Sequence, residues 1–322
     1  MPPSAQWRAG CIQRRIVPEN ASHSFPATFW YPALAAESPM RVGIYDLSAA
    51  ADAAPAAGRF PLVAISHGSG GGDVNHHDWA EALARAGFVV VAPRHVGDSH
   101  DFRAGIGSRE QLLERPRQLR QAIRAALTDP DIGCHCLADK LGLLGVSAGG
   151  YTCLTNMGAR PAFSRWKEHC RQNPQAEVVC PVGRAPSLPI LDEKDWEDVC
   201  QPNVGAAVLL APFAMVFDRP GLTNVHVPMR IYRAESESVT LNHSNADFLA
   251  KNLPSSPETV SVPGDHYVFI APVEEELAEK YPLYYRDAPG VDRRDIHRRL
   301  AEEIVDFFQR KLHEDNRASL TC

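Results

Sequence analysis

The feature that most constrains the fold is an alternation of short apolar runs with stretches of helical spacing, which begins near Pro61. The runs at 62–65, 88–92 and 141–146 consist of apolar residues and glycine, without the polar alternation of a half-exposed strand. Strands of this kind are buried on both faces, and when helices separate them they form a parallel sheet wrapped by helices. The sequence therefore predicts an α/β fold with a mostly parallel central sheet.

Between these runs, apolar residues recur at intervals of three and four, which is the spacing of one helix face. Trp79, Leu83 and Ala86 follow this spacing after the first run. Upstream, aromatic and β-branched residues bounded by proline and glycine predict antiparallel edge strands at 29–31 and 42–45.

The charge balance limits the partners that the chain can bind. The chain has 33 Lys and Arg residues against 39 Asp and Glu residues, a formal net charge of −6, which excludes a strongly basic nucleic-acid footprint. Hydrophobic residues make up 44% of the 322, enough to bury a core, so disorder along the whole chain is excluded. The apolar runs are far shorter than the ~20 residues of a membrane helix, so we expect no membrane span.

Residues 1–16 contain no apolar segment of the kind found in signal peptides. The sequence as written therefore predicts a cytoplasmic location, and an exported or periplasmic one if it is a trimmed mature form. The eight cysteines do not decide between the two.

The segment at about 159–203 interrupts the regular alternation of strands and helices. It contains Trp166 and Trp196 and lies between a strand–turn–helix unit and the next strand, where a cap can be inserted. Long loops in compact domains are usually functional. We therefore predict a single domain over 1–322 with a cap-like insertion, a long structured surface loop being the alternative. An exported chain would allow a disulfide between two of its three cysteines, which are Cys170, Cys180 and Cys200.

A tight turn between a strand and a helix is predicted at 145–149, where the sequence is Gly-Val-Ser-Ala-Gly. This context distinguishes a nucleophile turn from a chance match to the pentapeptide. Small residues must flank the serine in so tight a turn, and the helix N-terminus favours an anion that develops beside it. We predict Ser147 as a nucleophile; the alternative is a phosphate turn or a plain strand–helix turn.

A second glycine-rich turn, His-Gly-Ser-Gly-Gly-Gly at 67–72, follows the strand predicted at 62–65. Such a turn exposes backbone N–H groups, and we expect those of Ser69 and Ala148 to converge on the oxygen of an attacked carbonyl. Neither the P-loop nor the dinucleotide fingerprint occurs here, which disfavours a phosphate-binding loop.

Two later turns carry the other groups that a serine nucleophile needs. An acidic turn with Glu235 and Glu237 follows the strand predicted at 229–232, and a turn with His266 follows the strand predicted at 259–262. A serine hydroxyl needs a base, and the base needs a carboxylate that fixes its tautomer. We predict His266 as the base and one of the two glutamates as the carboxylate.

The predicted catalytic groups follow one another along the chain in the order serine, acid, histidine. In this order the chain resembles the α/β-hydrolase superfamily. Within it, the chain is similar to dienelactone hydrolase-like or platelet-activating-factor acetylhydrolase-like serine esterases over roughly residues 29–312. Besides the Ser147 turn, the motifs that carry this likeness are Trp-Tyr-Pro at 30–32, Pro-Leu-Val-Ala-Ile-Ser-His-Gly at 61–68, Ala-Pro-Arg-His-Val-Gly-Asp-Ser at 92–99, Gly-Ala-Arg-Pro at 158–161 and Gly-Asp-His at 264–266.

The resemblance implies hydrolysis of a small-molecule carboxylic ester through an acyl-enzyme, without metal or organic cofactor. The His-His-Asp run at 76–78 has no matching cluster at metal-ligand spacing, so no metal site is expected. Acyl transfer, or hydrolysis of a thioester or amide, would use the same residues. A non-catalytic binding protein of this fold is the rival class, but it normally lacks a residue that this chain keeps. The oligomeric state stays open.

Two departures from the family pattern matter. Dienelactone hydrolases use a cysteine where this chain has Ser147, which argues against dienelactone itself as the substrate. The family usually has aspartate where this chain has Glu237, which lies nine residues after Pro228, an interval similar to that of the family. Glu235 lies nearer the strand end and remains the alternative.

Several residues near the predicted strand ends are candidates for the walls of a substrate pocket. Phe213 and Tyr267 would line an acyl pocket, with ordinary core packing as the alternative. If the insertion covers the site, Trp166 is expected to limit acyl size. We expect His95 and Asp98 to shape the pocket floor or hold a loop there.

Overall fold

The computed structural model describes residues 7–18, 23–104, 108–174, 179–180 and 199–312. Among these residues, no helix combines the length and the apolar content that crossing a membrane requires. The strands are β1 (Arg8–Ile16), β2 (Phe25–Ala33), β3 (Ser38–Val42), β4 (Tyr45–Ala51), β5 (Phe60–Ser66), β6 (Val89–Pro93), β7 (Cys136–Val146), β8 (Val204–Leu210), β9 (Met229–Ala234) and β10 (Glu258–Val262). The α-helices are α1 (His77–Arg85), α2 (Arg115–Thr128), α3 (Ala148–Asn156), α4 (Ser164–Gln172), α5 (Ala246–Asn252), α6 (Glu275–Lys280), α7 (Pro282–Tyr285) and α8 (Arg293–Leu312).

These strands form one sheet in the order β10-β9-β8-β7-β5-β6-β2-β1-β4-β3. The strands from β10 to β6 run parallel, whereas β2 pairs antiparallel with both β6 and β1. The carboxyl ends of the parallel strands meet at one edge, where open α/β sheets bind ligands. The predicted α/β fold with a mostly parallel sheet flanked by helices is confirmed.

Both faces of the central strands are buried, which explains their continuous apolar sequences. Successive residues of a strand point to opposite faces. On one face, Val63 of β5 belongs to an apolar layer with Trp79 of α1 and Leu300 of α8. On the other, Leu62 belongs to a layer with Leu119 of α2.

The N-terminal strands differ from the sequence prediction. Residues 29–31 lie in β2, which is an inner strand between β6 and β1 and not an edge strand. Residues 42–45 span the turn of the β3–β4 hairpin, where Gly43 has a φ of +59°. An antiparallel edge strand does lie here, but it is β3, which ends at Val42, so the prediction placed the strand too late in the chain.

The insertion between α3 and β8 is described only at 159–174, 179–180 and 199–203, so Trp196 lies outside the described residues. Cys170 and Cys180 form a disulfide. Trp166 of α4 is 2% exposed, and its Nε1 donates a hydrogen bond to the Val179 carbonyl at 3.0 Å. The disulfide and this hydrogen bond both hold the chain at 179–180 against α4, and the role of the insertion as a cap stays a prediction.

Candidate active site

Ser147 occupies the turn between β7 and α3, at the carboxyl edge of the sheet. Its φ of 53° and ψ of −116° place a non-glycine residue in the left-handed half of backbone space. Residues held in such conformations are strained and often functional. The flanking glycines permit the turn, since a Cβ at Gly145 would clash with Gly149, and a Cβ at Gly149 would clash with the Ser66 carbonyl.

A continuous chain of hydrogen bonds joins Ser147, His266 and Glu237. Nε2 of His266 lies 2.9 Å from Oγ of Ser147, and Nδ1 lies 2.9 Å from Oε1 of Glu237. A carboxylate only accepts hydrogen bonds, so Nδ1 carries the proton and Nε2 is left to accept from the serine hydroxyl. The turn that holds His266 follows β10 and is capped by Asp265, whose Oδ1 accepts the Tyr267 N–H at 2.9 Å.

The surroundings of Glu237 keep it ionised. Its side chain is 1% exposed, and its Oε1 also accepts the backbone N–H groups of Val239 and Thr240, each at 2.9 Å. Burial alone would raise the pKa of Glu237, but the imidazole of His266 and these N–H groups outweigh burial and lower the pKa below its ordinary value. Glu235, two residues earlier, is exposed. The structure therefore brings Glu237, and not Glu235, to the histidine.

The two predicted oxyanion donors border the same cavity as the Ser147 hydroxyl. Ala148 is the first residue of α3, so its N–H has no acceptor within the helix. The turn with Ser69 lies close to the nucleophile, since a Cβ added to Gly68 would lie 3.5 Å from Cβ of Ser147. This is the arrangement expected of paired backbone donors, and their role stays a prediction.

The cavity has a volume of about 420 Å³. Phe213 and Tyr267, two of the predicted pocket residues, line it. Trp166 is not among the lining residues; its ring packs edge-on against Phe213 with the centroids 5.1 Å apart. Trp166 therefore supports the wall from behind, and of the described part of the insertion only Val179 reaches the cavity.

Two walls of the cavity were missed by the sequence reasoning. The β3–β4 hairpin contributes residues 42–45, and the segment that joins α6 to α7, together with α7, contributes three tyrosines. The signal in the sequence was the presence of three tyrosines within five residues, Tyr-Pro-Leu-Tyr-Tyr at 281–285. The tyrosines are Tyr281, Tyr284 and Tyr285.

The charged groups on the cavity wall are basic. No aspartate or glutamate is among the described residues that line it, whereas Arg94 and Arg103 are. Arg94 is neutralised by Asp73 at 2.8 Å and Asp101 at 2.7 Å. Arg103 lies against Gly70, and within the described ranges no carboxylate comes within 4.0 Å of its guanidinium. Arg103 thus gives the wall a positive charge that no ion pair neutralises within the described residues, in a protein of net charge −6.

His76 is a buried residue of the cavity wall. The side chain stacks on Trp79 with centroids 5.3 Å apart, and the residue is 4% exposed. Burial lowers its pKa to about 3, with only partial compensation from Asp78, so the ring is neutral in the folded protein.

Comparison with known proteins adds one finding to this geometry. No family model matches the chain, and no curated protein matches it in sequence. Among solved structures, it is similar to a ferulic acid esterase from Streptomyces cinnamoneus, with a TM-score of 0.64, 18% identity, and coverage of 99% of this chain and 93% of that one. At this identity the likeness shows the fold, which is that of the α/β-hydrolases.

Proposed function

We propose that this protein is a serine esterase that hydrolyses carboxylic esters through an acyl-enzyme, with Ser147, His266 and Glu237 as its triad. The observation that carries the proposal is the hydrogen-bond chain from the buried carboxylate through the imidazole to a serine on a strained turn. A serine hydroxyl is a weak nucleophile unless a base accepts its proton, and this chain supplies that base in the required tautomer.

In the proposed reaction, each step uses one of these groups. Oγ of Ser147 attacks the ester carbonyl while Nε2 of His266 takes the hydroxyl proton, and Glu237 stabilises the resulting imidazolium. The N–H groups of Ser69 and Ala148 stabilise the tetrahedral oxyanion. As the C–O bond to the alcohol breaks, the imidazolium returns the proton to the leaving oxygen. Water then attacks the acyl-enzyme by the same route and releases the acid.

The finer likeness to dienelactone hydrolase-like or platelet-activating-factor acetylhydrolase-like esterases belongs to this proposal. Its support is the run of motifs from 30–32 to 264–266 and the matching order of the triad. An esterase of similar fold, the ferulic acid esterase, supports ester hydrolysis in general.

The shape and charge of the cavity indicate the kind of ester. A volume of about 420 Å³ with aromatic walls suits an apolar body of moderate size. Because no carboxylate is found among the described lining residues and Arg103 has no acidic partner there, neutral or anionic esters should bind better than cationic ones.

A panel of p-nitrophenyl esters from acetyl to dodecanoyl, assayed with wild type and Ser147→Ala, tests the proposal. We expect turnover by the wild type, a fall on the order of 10⁴ or more in the variant, and fluorophosphonate labelling of the wild type alone. Equal labelling of both proteins would contradict the assignment of Ser147 as the nucleophile. No turnover and no labelling of the wild type would favour the non-catalytic binding protein.

A further inference from the structure

A fully buried arginine lies beneath the glycine-rich turn at 67–72, here called the oxyanion turn, and takes no chemical step in the proposed reaction. Arg115 is the first residue of α2. Its side chain is 0% exposed, and the side chain of its partner, Asp98, is 1% exposed. Nη1 of Arg115 lies 2.8 Å from Oδ2 of Asp98. Moving two charges out of water costs hydration free energy, and their mutual attraction offsets this cost only when further hydrogen bonds satisfy both groups. Such a pair therefore contributes little to stability by itself. The partners of this pair therefore indicate its use.

One set of hydrogen bonds, here called the first arm of the pair, links it to the segment that carries the first oxyanion donor, Ser69. Oδ1 of Asp98 accepts the hydroxyl of Ser69 at 2.5 Å, and the carbonyl of Asp98 accepts the N–H of Gly70 at 3.3 Å. Nη2 of Arg115 donates to the carbonyl of His67. The turn is thus held on both sides of Ser69 by the same ion pair.

A second arm reaches the segment that carries the other donor. Nε of Arg115 donates to Oγ1 of Thr152 at 3.3 Å. The Thr152 hydroxyl in turn donates to the carbonyl of Ala148 at 3.0 Å. The first turn of α3, which presents the Ala148 N–H, is therefore tied to the same guanidinium.

We propose that Arg115, paired with Asp98, is a positioning residue that holds the Ser69 and Ala148 segments at a fixed separation. The inference rests on the proposed function. Oxyanion donors are effective because they are in place before charge develops, so any group that sets their spacing acts on the transition state and not on substrate binding. A planar guanidinium with five donors suits the task, since it can bond two segments at once without rotating.

Two mild variants cut one arm each and leave the ion pair intact. Ser69→Ala removes the hydroxyl bonded to Asp98, and Thr152→Val removes the hydroxyl between Arg115 and Ala148. We expect each to lower kcat on a neutral ester about tenfold, less than the ~10²–10³ of losing a donor outright, with KM within about twofold. Ser69→Thr, which keeps the hydroxyl, should retain kcat.

A transition-state readout separates positioning from mere structure. A trifluoromethyl ketone adds to the serine to form an oxyanion, the hydroxyl proton passing to the imidazole. Its inhibition constant should rise in Ser69→Ala and Thr152→Val by the factor that kcat/KM falls. Thr155→Val is the matched control, because the Thr155 hydroxyl donates to a carbonyl within α3 and does not contact Arg115. It should leave both quantities unchanged.

The double variant tests whether both arms act through one group. If Arg115 links them, Ser69→Ala combined with Thr152→Val should lose less than the product of the two single effects. If the wild type turns over esters but both variants match Thr155→Val in kcat and inhibitor affinity, the inference is overturned and the proposed function stands. If the wild type neither turns over esters nor labels at Ser147, both are overturned.

Discussion

Nδ1 of His266 lies 2.9 Å from Oε1 and 3.0 Å from Oε2 of Glu237, so the carboxylate faces the imidazole with both oxygens. We expect Glu237→Gln to lower kcat on the order of 10⁴, because an amide N–H directed at Nδ1 favours the wrong tautomer. Steady-state kinetics on a p-nitrophenyl ester measure the loss. The exposed Glu235 provides the matched control, and Glu235→Gln should keep kcat. Collapse of Glu235→Gln with near-normal Glu237→Gln would reverse the assignment.

The strained backbone of Ser147 leads to a prediction about stability. A side chain at a φ of 53° costs of order 1–3 kcal/mol, whereas glycine adopts the conformation freely at a smaller entropic cost. We expect Ser147→Gly to exceed Ser147→Ala in free energy of unfolding by about 1 kcal/mol, although both are inactive. Urea denaturation of the two variants measures the difference. Equal stabilities would mean that the turn stores no strain.

The sequence predicted the parts of the site that depend on local pattern. Apolar runs with a tight turn after them indicated where Ser147 and His266 lie, because strand ends of a parallel sheet gather at one edge. Patterns of this kind carry no information about which distant segments cover the site. The hairpin at 42–45 and the tyrosines at 281–285 reach the cavity only through the tertiary fold.

The buried ion pair shows the same limit. Asp98 was expected to shape the pocket floor or hold a loop, and the structure places it beneath the oxyanion turn. Its partner Arg115 belongs to a helix whose spacing indicated only an apolar face. A charged residue at a helix start is ordinarily solvated, so nothing in the sequence distinguished this one from a surface arginine.

The packing of Phe213 predicts which substitutions change the preferred acyl length. Phe213 lines the cavity directly, so Phe213→Ala should shift the p-nitrophenyl ester profile towards longer chains. Trp166→Ala leaves a void behind Phe213 and should shift the profile less, at a stability cost of about 3–5 kcal/mol. Phe307→Ala removes a large side chain from the apolar layer on the other face of the sheet, so it is the control for loss of stability alone. If Trp166→Ala matches that control, the insertion is structural.

The basic wall of the cavity predicts a charge preference. With matched anionic, neutral and cationic esters, we expect Arg103→Glu to lower kcat/KM for the anionic ester, raise it for the cationic one and leave the neutral one within about threefold. Added salt should weaken the preference in the wild type. Arg298→Glu, on the exposed side of α8, is the control and should change none of the three. An identical response of all three esters to Arg103→Glu would exclude electrostatic selection at this position.

The neutral, buried His76 predicts that the stability of the fold is sensitive to acid. Its pKa falls from 6.5 to about 3 on folding, so below pH 6.5 the unfolded chain binds the proton and the folded chain does not. Stability is therefore lost as the pH falls from 6.5, and the group accounts for about 2 kcal/mol at pH 5. His76→Phe keeps a ring against Trp79 and removes the proton site. Urea denaturation at pH 8 and pH 5 should show the free energy of unfolding falling by about 2 kcal/mol less in His76→Phe than in the wild type.

His226→Gln, at an exposed histidine, should follow the wild type at both pH values. Parallel losses in His76→Phe and the wild type would place the source of acid sensitivity in other groups, of which the buried His67 and His95, whose pKa values burial and the Arg115 charge lower, are the next to replace.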